Sequence, residues 1–184
     1  MGRTTGRGPD DTKQLILDAA KAVVISHGAK ATLDDVAAAA GLSRGAVIYH
    51  YSSKNALWTA LAEHVLFQFR TLVHDRLEEG DTPGRLARAF IAASLDGDLI
   101  EEVGERLFLL ASLAIAPGVK EIVAADNTAW KTALANDGLH VGAQAVISSS
   151  VDGAGLAAGW GLAPSKKELR ALRGELERLA TPEP

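Results

Sequence analysis

The chain has 184 residues and a formal net charge of −4; 47% of its residues are hydrophobic, only 5% are aromatic, and six are proline. That length supports a sizeable core, and an alanine-rich, aromatic-poor balance favours a mostly helical protein over a β-sandwich. No cysteine is present, which excludes disulfides, thiolate zinc sites and cysteine nucleophiles and fits a cytoplasmic protein.

Charge is unevenly spread along the chain. Residues 1–54 hold seven Lys or Arg against five Asp or Glu, a balance of +2, whereas residues 55–184 come to −6. A mildly basic front and an acidic back is the pattern expected if only the front meets an anionic partner. Residues 1–9, with Arg3 and Arg7 and no apolar run behind them, read as a flexible basic arm and not as a secretory signal.

The first predicted helix starts from a cap at Asp10 or Asp11 and runs from Thr12 to His27, with Leu15, Ala19 and Val23 on one stripe and Ile16, Ala20 and Val24 beside it; Gly28 ends it. Thr32 caps a second, short helix, Leu33 to Ala40, whose Asp34 and Asp35 favour its positive end. Gly41 is placed to close that helix in the left-handed conformation, and Ser43 to cap a third of about two turns. Ser52 and Ser53 then stop the chain and restart it. This is the grammar of a helix-turn-helix. The short third helix carries Arg44, Tyr49 and His50, with Lys54 just beyond, all able to reach phosphates or base edges.

A long fourth helix is predicted from Lys54 to Glu79, followed by helices over 82–95, 98–115, 119–136, 139–160 and 166–179. Trp58, Phe67, Phe69, Phe90, Phe108 and Trp130 read as core residues, some able to wall a pocket; Tyr51 reads as packed in the core of the small front module. The 139–163 segment is rich in Gly, Ala and Ser. It is long enough to span a bilayer, but His140, Asp152 and Ser148 to Ser150, with few large apolar residues, argue for close helix packing instead. The leucine stripe of the last helix supplies the partner, so the two helices are expected to build a four-helix interface between two chains.

Three catalytic or metal readings fail on context. Gly41 to Gly45 spells G-x-S-x-G, but the Ser43 nucleophile of a hydrolase would need a strand before it, and an alanine-rich helix precedes it. Gly153 to Gly159 lacks dinucleotide-loop spacing. His64 and His74 are ten residues apart and share no helical face, so no metal or other cofactor is expected.

The stretch Ile16 to Ala20, with Gly28, Thr32, Val36-Ala37, Ala40 to Gly45, Tyr49-His50-Tyr51, Lys54 and Leu57, resembles the TetR family of transcriptional regulators over roughly residues 12–60. Val151-Asp152-Gly153 followed by Leu156 is similar to the dimerising helix of such regulators. The resemblance implies an all-α homodimer that is not an enzyme. Its helix-turn-helix, residues 10–56, would read a palindromic DNA operator, and residues 57–184 would form a helical ligand-binding and dimerisation domain for a small-molecule effector. It implies that Thr32, Ser43, Arg44, Gly45, Tyr49, His50 and Lys54 meet DNA. The pocket is expected at His64, Gln68, Phe108, Ser112, Asn127 and Trp130, and the dimer interface at Ser148, Asp152, Gly155, Gly159, Leu169, Leu172 and Leu176. A constitutive dimeric DNA-binding protein without an effector is the alternative, with a serine hydrolase using Ser43 a remoter one. Two positions depart from the family pattern: Ile48 stands where many members have Tyr, and Asp34 where many have a cation.

Overall fold

A computed structural model of the chain describes residues 8–181; Arg3 and Arg7, assigned above to a basic arm, lie outside them. The described residues form nine α-helices and no strand: α1 (Pro9–His27), α2 (Leu33–Ala40), α3 (Arg44–His50), α4 (Lys54–His74), α5 (Arg85–Ser94), α6 (Ile100–Leu113), α7 (Val119–Ala135), α8 (Val141–Gly159) and α9 (Lys166–Leu179), with one 3₁₀ turn at Gly28–Lys30. The fold is all-α, as the periodicity predicts.

Cap chemistry sets several boundaries. Thr32 and Ser165 open α2 and α9 through reciprocal capping boxes with Asp35 and Glu168. α1 begins three residues earlier than expected because Asp11 acts from inside the helix, accepting from the Gly8 N–H at 3.1 Å, while Pro9 sits at the first position where its missing N–H costs nothing. α4 stops at His74, five residues short of the predicted Glu79. There the Arg76 N–H bonds Val73 O at 3.1 Å instead of Leu72 O, and the Leu72 carbonyl is taken at 3.1 Å by the Arg76 guanidinium itself.

The chain divides into two compact units. One contains residues up to His64 together with Leu109–Lys120, and the other contains Val65–Phe108 with the residues from Glu121 onward. α4 contributes to both. In the first unit, Ile16, Ala20, Val24, Val36, Ala37, Val47, Leu57 and Leu61 are buried, joined by Leu109, Leu113, Ala116 and Val119 from the end of α6 and the turn after it. In the second unit the core is built around Phe69, Val73, Phe90, Ile91, Val103, Leu134, Ile147, Val151, Leu169 and Leu176. The carboxylate of Asp137, in the turn before α8, caps α5 by accepting from Leu86 N at 3.1 Å and Ala87 N at 2.8 Å.

Within the protomer the last helices make two contacts that the sequence does not specify. Leu169 and Leu176 are 1% and 2% exposed within the single chain, so these two leucines of α9 pack inside the protomer, while Leu172 and Leu179 pack on the same core and stay partly exposed. The small residues of α8 approach α6 of the same chain. A Cβ on Gly155 would meet Leu107 and Val103, and Gly159 lies against the backbone of Gly104. The core assignment fails at Phe67 and Phe108, which are 67% and 44% exposed, because both fall on the outward side of their helices.

A Cβ added at Gly104 would come within 2.4 Å of Gly159 N and 2.7 Å of Ala158 C, atoms that cannot rotate away. Gly104→Ala is therefore expected to destabilise the protein by about 1–3 kcal/mol in urea denaturation, despite the better helix propensity of alanine; an unchanged midpoint would mean that the two backbones are not in contact.

Candidate nucleic-acid interface

The turn between α2 and α3 is built from backbone. Gly41 takes the left-handed conformation (φ 65, ψ 30) that lets its N–H reach Ala38 O at 3.2 Å and the Leu42 N–H reach Ala37 O at 2.9 Å, closing α2. Ser43 then opens α3, its Oγ accepting from Ala46 N at 3.1 Å. Of the seven residues of α3 only Val47 is buried, at 0% exposure, so the helix is fixed to its unit by one side chain and its two ends. The rest of its surface is free for a partner.

On that surface Tyr49 is 85% exposed and Ile48 is 39% exposed, while the Tyr49 and His50 rings meet edge to face at 5.1 Å. Arg44 and Gly45 are exposed at the start of the helix. The Ser43 hydroxyl accepts one bond and keeps its proton to offer; the Thr32 hydroxyl is committed on both sides, accepting from Asp35 N at 3.2 Å and donating to Asp35 Oδ2 at 2.7 Å. What Thr32 presents outward is its place at the head of α2. Lys54 opens α4 with its ammonium 5.7 Å from the centroid of the buried Trp58 ring, and Ser53 caps that helix by accepting from Ala56 N at 3.1 Å. Tyr51, half-buried behind α3, has its phenol pushed up by burial.

One contact lies beyond the reach of the sequence patterns. Arg44 Nη1 donates to Asp34 Oδ2 at 2.6 Å, joining the first turn of α2 to the first residue of α3. Each residue stands out by itself in the sequence, but ten residues of separation and two helices hide the pair from any periodic reading.

The expected pocket residues do not fall in one unit. His64, whose Nε2 is 3.2 Å from the Gln14 amide nitrogen on α1, and half-buried Ser112 belong to the first unit. Gln68, Phe108, Asn127 and Trp130 belong to the second, and of these Gln68, Phe108 and Asn127 are exposed. Trp130 packs against Phe69 and Phe90, with ring centroids 5.7 and 5.2 Å away. Around this aromatic group Arg70 bonds Asp126 through Nε at 2.8 Å, and the Arg106 guanidinium lies 3.5 Å from the Phe69 centroid. Burial pushes Arg106 down to about 10 against the pull of Asp152 and Asp126, so it stays charged at neutral pH. Loss of water raises the Asp152 carboxyl, with the Arg106 and Lys131 charges working against that rise.

Among the described residues no group of His, Asp and Glu could hold a metal ion, and no helix is long and apolar enough to cross a membrane.

A capped turn followed by a short helix held from behind, in an otherwise helical chain, defines a helix-turn-helix regulator. Residues 16–61 match the family described as bacterial regulatory proteins, tetR family, and residues 84–181 match the tetracyclin repressor-like C-terminal domain. The chain belongs to the TetR family of transcriptional regulators. A 55-residue stretch is 44% identical to the HTH-type transcriptional regulator SrpR of Pseudomonas putida, spanning 29% of this chain and 26% of that relative. The same identity over 55 residues holds for TtgW, an uncharacterised HTH-type regulator of Pseudomonas putida, of which the stretch spans 41%. Among solved structures, a TetR-family member from Streptomyces coelicolor superposes with TM-score 0.70 at 25% identity, over 94% of this chain and 99% of that one. The multidrug binding protein EbrR, solved in complex with malachite green, gives TM-score 0.69 at 25% identity over 93% and 98%.

The capping box at Thr32 carries a pH signature. The Thr32 hydroxyl and N–H both donate to Asp35 and hold its carboxyl below the ordinary value, so this contribution to stability is present above the unfolded carboxylate range and is lost as pH falls through the lowered folded value. Asp35→Asn is expected to flatten the acid limb of the stability curve measured by circular dichroism; an acid limb identical to that of the native chain would detach the box from the stability of α2.

Proposed function

We propose that the protein is a homodimeric, non-enzymatic cytoplasmic repressor that binds a palindromic DNA operator through α3 and is released from it by a small-molecule effector. The observation that carries the reading is α3 itself, seven residues long with a single buried side chain, presenting Arg44, Gly45, Tyr49 and His50 together. Lys54, at the head of α4, adds a cation where the N-terminal dipole of that helix also favours a phosphate. Ser43 stands at the head of α3 and would contribute its backbone amide and hydroxyl, while Thr32, whose N–H and hydroxyl both go to Asp35, would act only by setting the head of α2.

The outward face of α8 is the best candidate for the two-fold contact. Val141, Leu156 and Trp160 lie along it, 71%, 57% and 77% exposed, with Ser148 and Asp152 on the same helix. The effector would be held in the second unit, where Trp130, Phe69 and Phe90 offer apolar surface and Arg106 offers charge. Full-length likeness to EbrR, which was solved with malachite green, supports a bound small molecule. The division between the two units falls inside α4, so a strain in the second unit reaches the DNA-binding unit along one continuous helix. The effector acts only by its different affinity for the two states.

Duplexes enriched from a randomised pool provide a preferred DNA, and scrambled versions of them a reference. Lys54→Glu should weaken both alike, whereas Arg44→Ala should cost about 1–3 kcal/mol of discrimination between them. If neither change alters binding in fluorescence anisotropy at fixed salt, α3 is not the reading element. For the interface, the double substitution L156E/W160E should convert a dimer to a monomer in sedimentation velocity; a variant that stays dimeric would place the contact elsewhere.

A further inference from the structure

The pairing of Arg44 with Asp34 reaches beyond the assignment of α3 to DNA, on which it rests. Residues 1–54 carry seven Lys or Arg against five Asp, so this part of the chain meets an anionic partner with a surplus of only two charges. Arg44 is the only Lys or Arg within α3, and it sits opposite a carboxylate at 2.6 Å, both side chains open to solvent at 58% and 63% exposure. Asp34 has no bond among the described residues other than the one from Arg44. Its neighbour Asp35, by contrast, is fully used in capping α2.

Two physical consequences follow. An exposed carboxylate beside the reading helix repels every phosphate it passes, and a guanidinium already paired with it has little net charge to offer a backbone in exchange. The pair nevertheless occupies only Nη1, leaving the other N–H groups of the fork available, and it restrains a side chain that would otherwise rotate freely. A guanine edge, with two acceptors in the major groove, can take the remaining face of a fork held in this way, whereas a single phosphate oxygen gains nothing from its orientation.

We propose that Asp34 is a specificity-determining positioning residue: it holds Arg44 by one amino group, aims the rest of the guanidinium at a base edge, and makes the surface a poor binder of DNA backbone. The protein thereby gives up affinity for random sequence and keeps affinity for a sequence with guanine under Arg44. The residue that departs from the family pattern is in this reading the source of discrimination.

The test uses the full chain, the most enriched duplex from a randomised pool, and a scrambled duplex of the same composition. Asp34→Asn should tighten binding to the scrambled duplex about 3- to 10-fold and reduce the ratio of affinities for the two duplexes by about 10-fold. The slope of log affinity against log salt on scrambled DNA should steepen by about 2, one new phosphate contact from each protomer of a dimer. Asp34→Glu, which keeps the carboxylate, should restore discrimination at least in part, and Asp34→Ser should behave as Asp34→Asn, with thermal unfolding confirming that each variant folds. In the Arg44→Ala background Asp34→Asn should lose its effect on the ratio. An unchanged ratio in Asp34→Asn overturns the proposal, as does the same change in ratio with and without Arg44, since Asp34 would then act through bulk charge alone. Native protein that binds no duplex of the pool at any salt would overturn the DNA-binding reading itself, an outcome distinct from either.

Discussion

Everything at the front of this molecule depends on how little holds α3 in place. A helix of seven residues is too short to persist on its own, so its conformation is imposed from outside: Gly41 turns the chain, Ser43 supplies the first acceptor, and Val47 enters the core. Because one buried side chain suffices, no other position on the helix need be apolar. That leaves Arg44, Gly45 and Tyr49 exposed, and it explains why a tyrosine at 85% exposure and a partly exposed Ile48 are tolerated at its end. Longer anchoring would give a firmer helix with less surface to read with.

The second unit solves a different problem. Charged groups border its aromatic core: Arg70 lies over the Trp130 ring and Arg106 over that of Phe69, with Asp126 bonded to Arg70. Arg70 and Asp126 answer each other directly. Arg106 instead spreads its charge over the face of Phe69, an arrangement suited to a weakly hydrated guanidinium and poorly suited to a lysine.

Much of this was legible in the sequence because it is written locally. Thr32, Ser43 and Ser165 with their partners three residues on mark helix starts to the residue, and the stripe of Ile16, Ala20 and Val24 marks a buried face. Information carried by distant pairs was not legible. Nor does any periodicity record the local end of α4, where the Arg76 side chain turns back onto the Leu72 carbonyl four residues earlier. Leucines at 169, 172 and 176 specify an apolar face but not which of them enters the core of the protomer, as Leu169 and Leu176 do, and which stays partly exposed, as Leu172 does. The inclusion of residues 109–120 with the front unit, and the meeting of Asp34 with Arg44, likewise require the fold before they can be seen.

The near-touching backbones of Gly104 and Gly159 have a mechanical meaning as well as a steric one. Helices separated by side chains can absorb a small push by changing rotamers, so displacement fades within a layer of packing. Where peptide rests on peptide, as at Gly104 and Gly159, there is no rotamer to change. Arg106 lies two residues from one end of that contact and Trp160 one residue from the other. A shift of α6 at this point is therefore met by the backbone of α8 itself, with no side chain between them to yield.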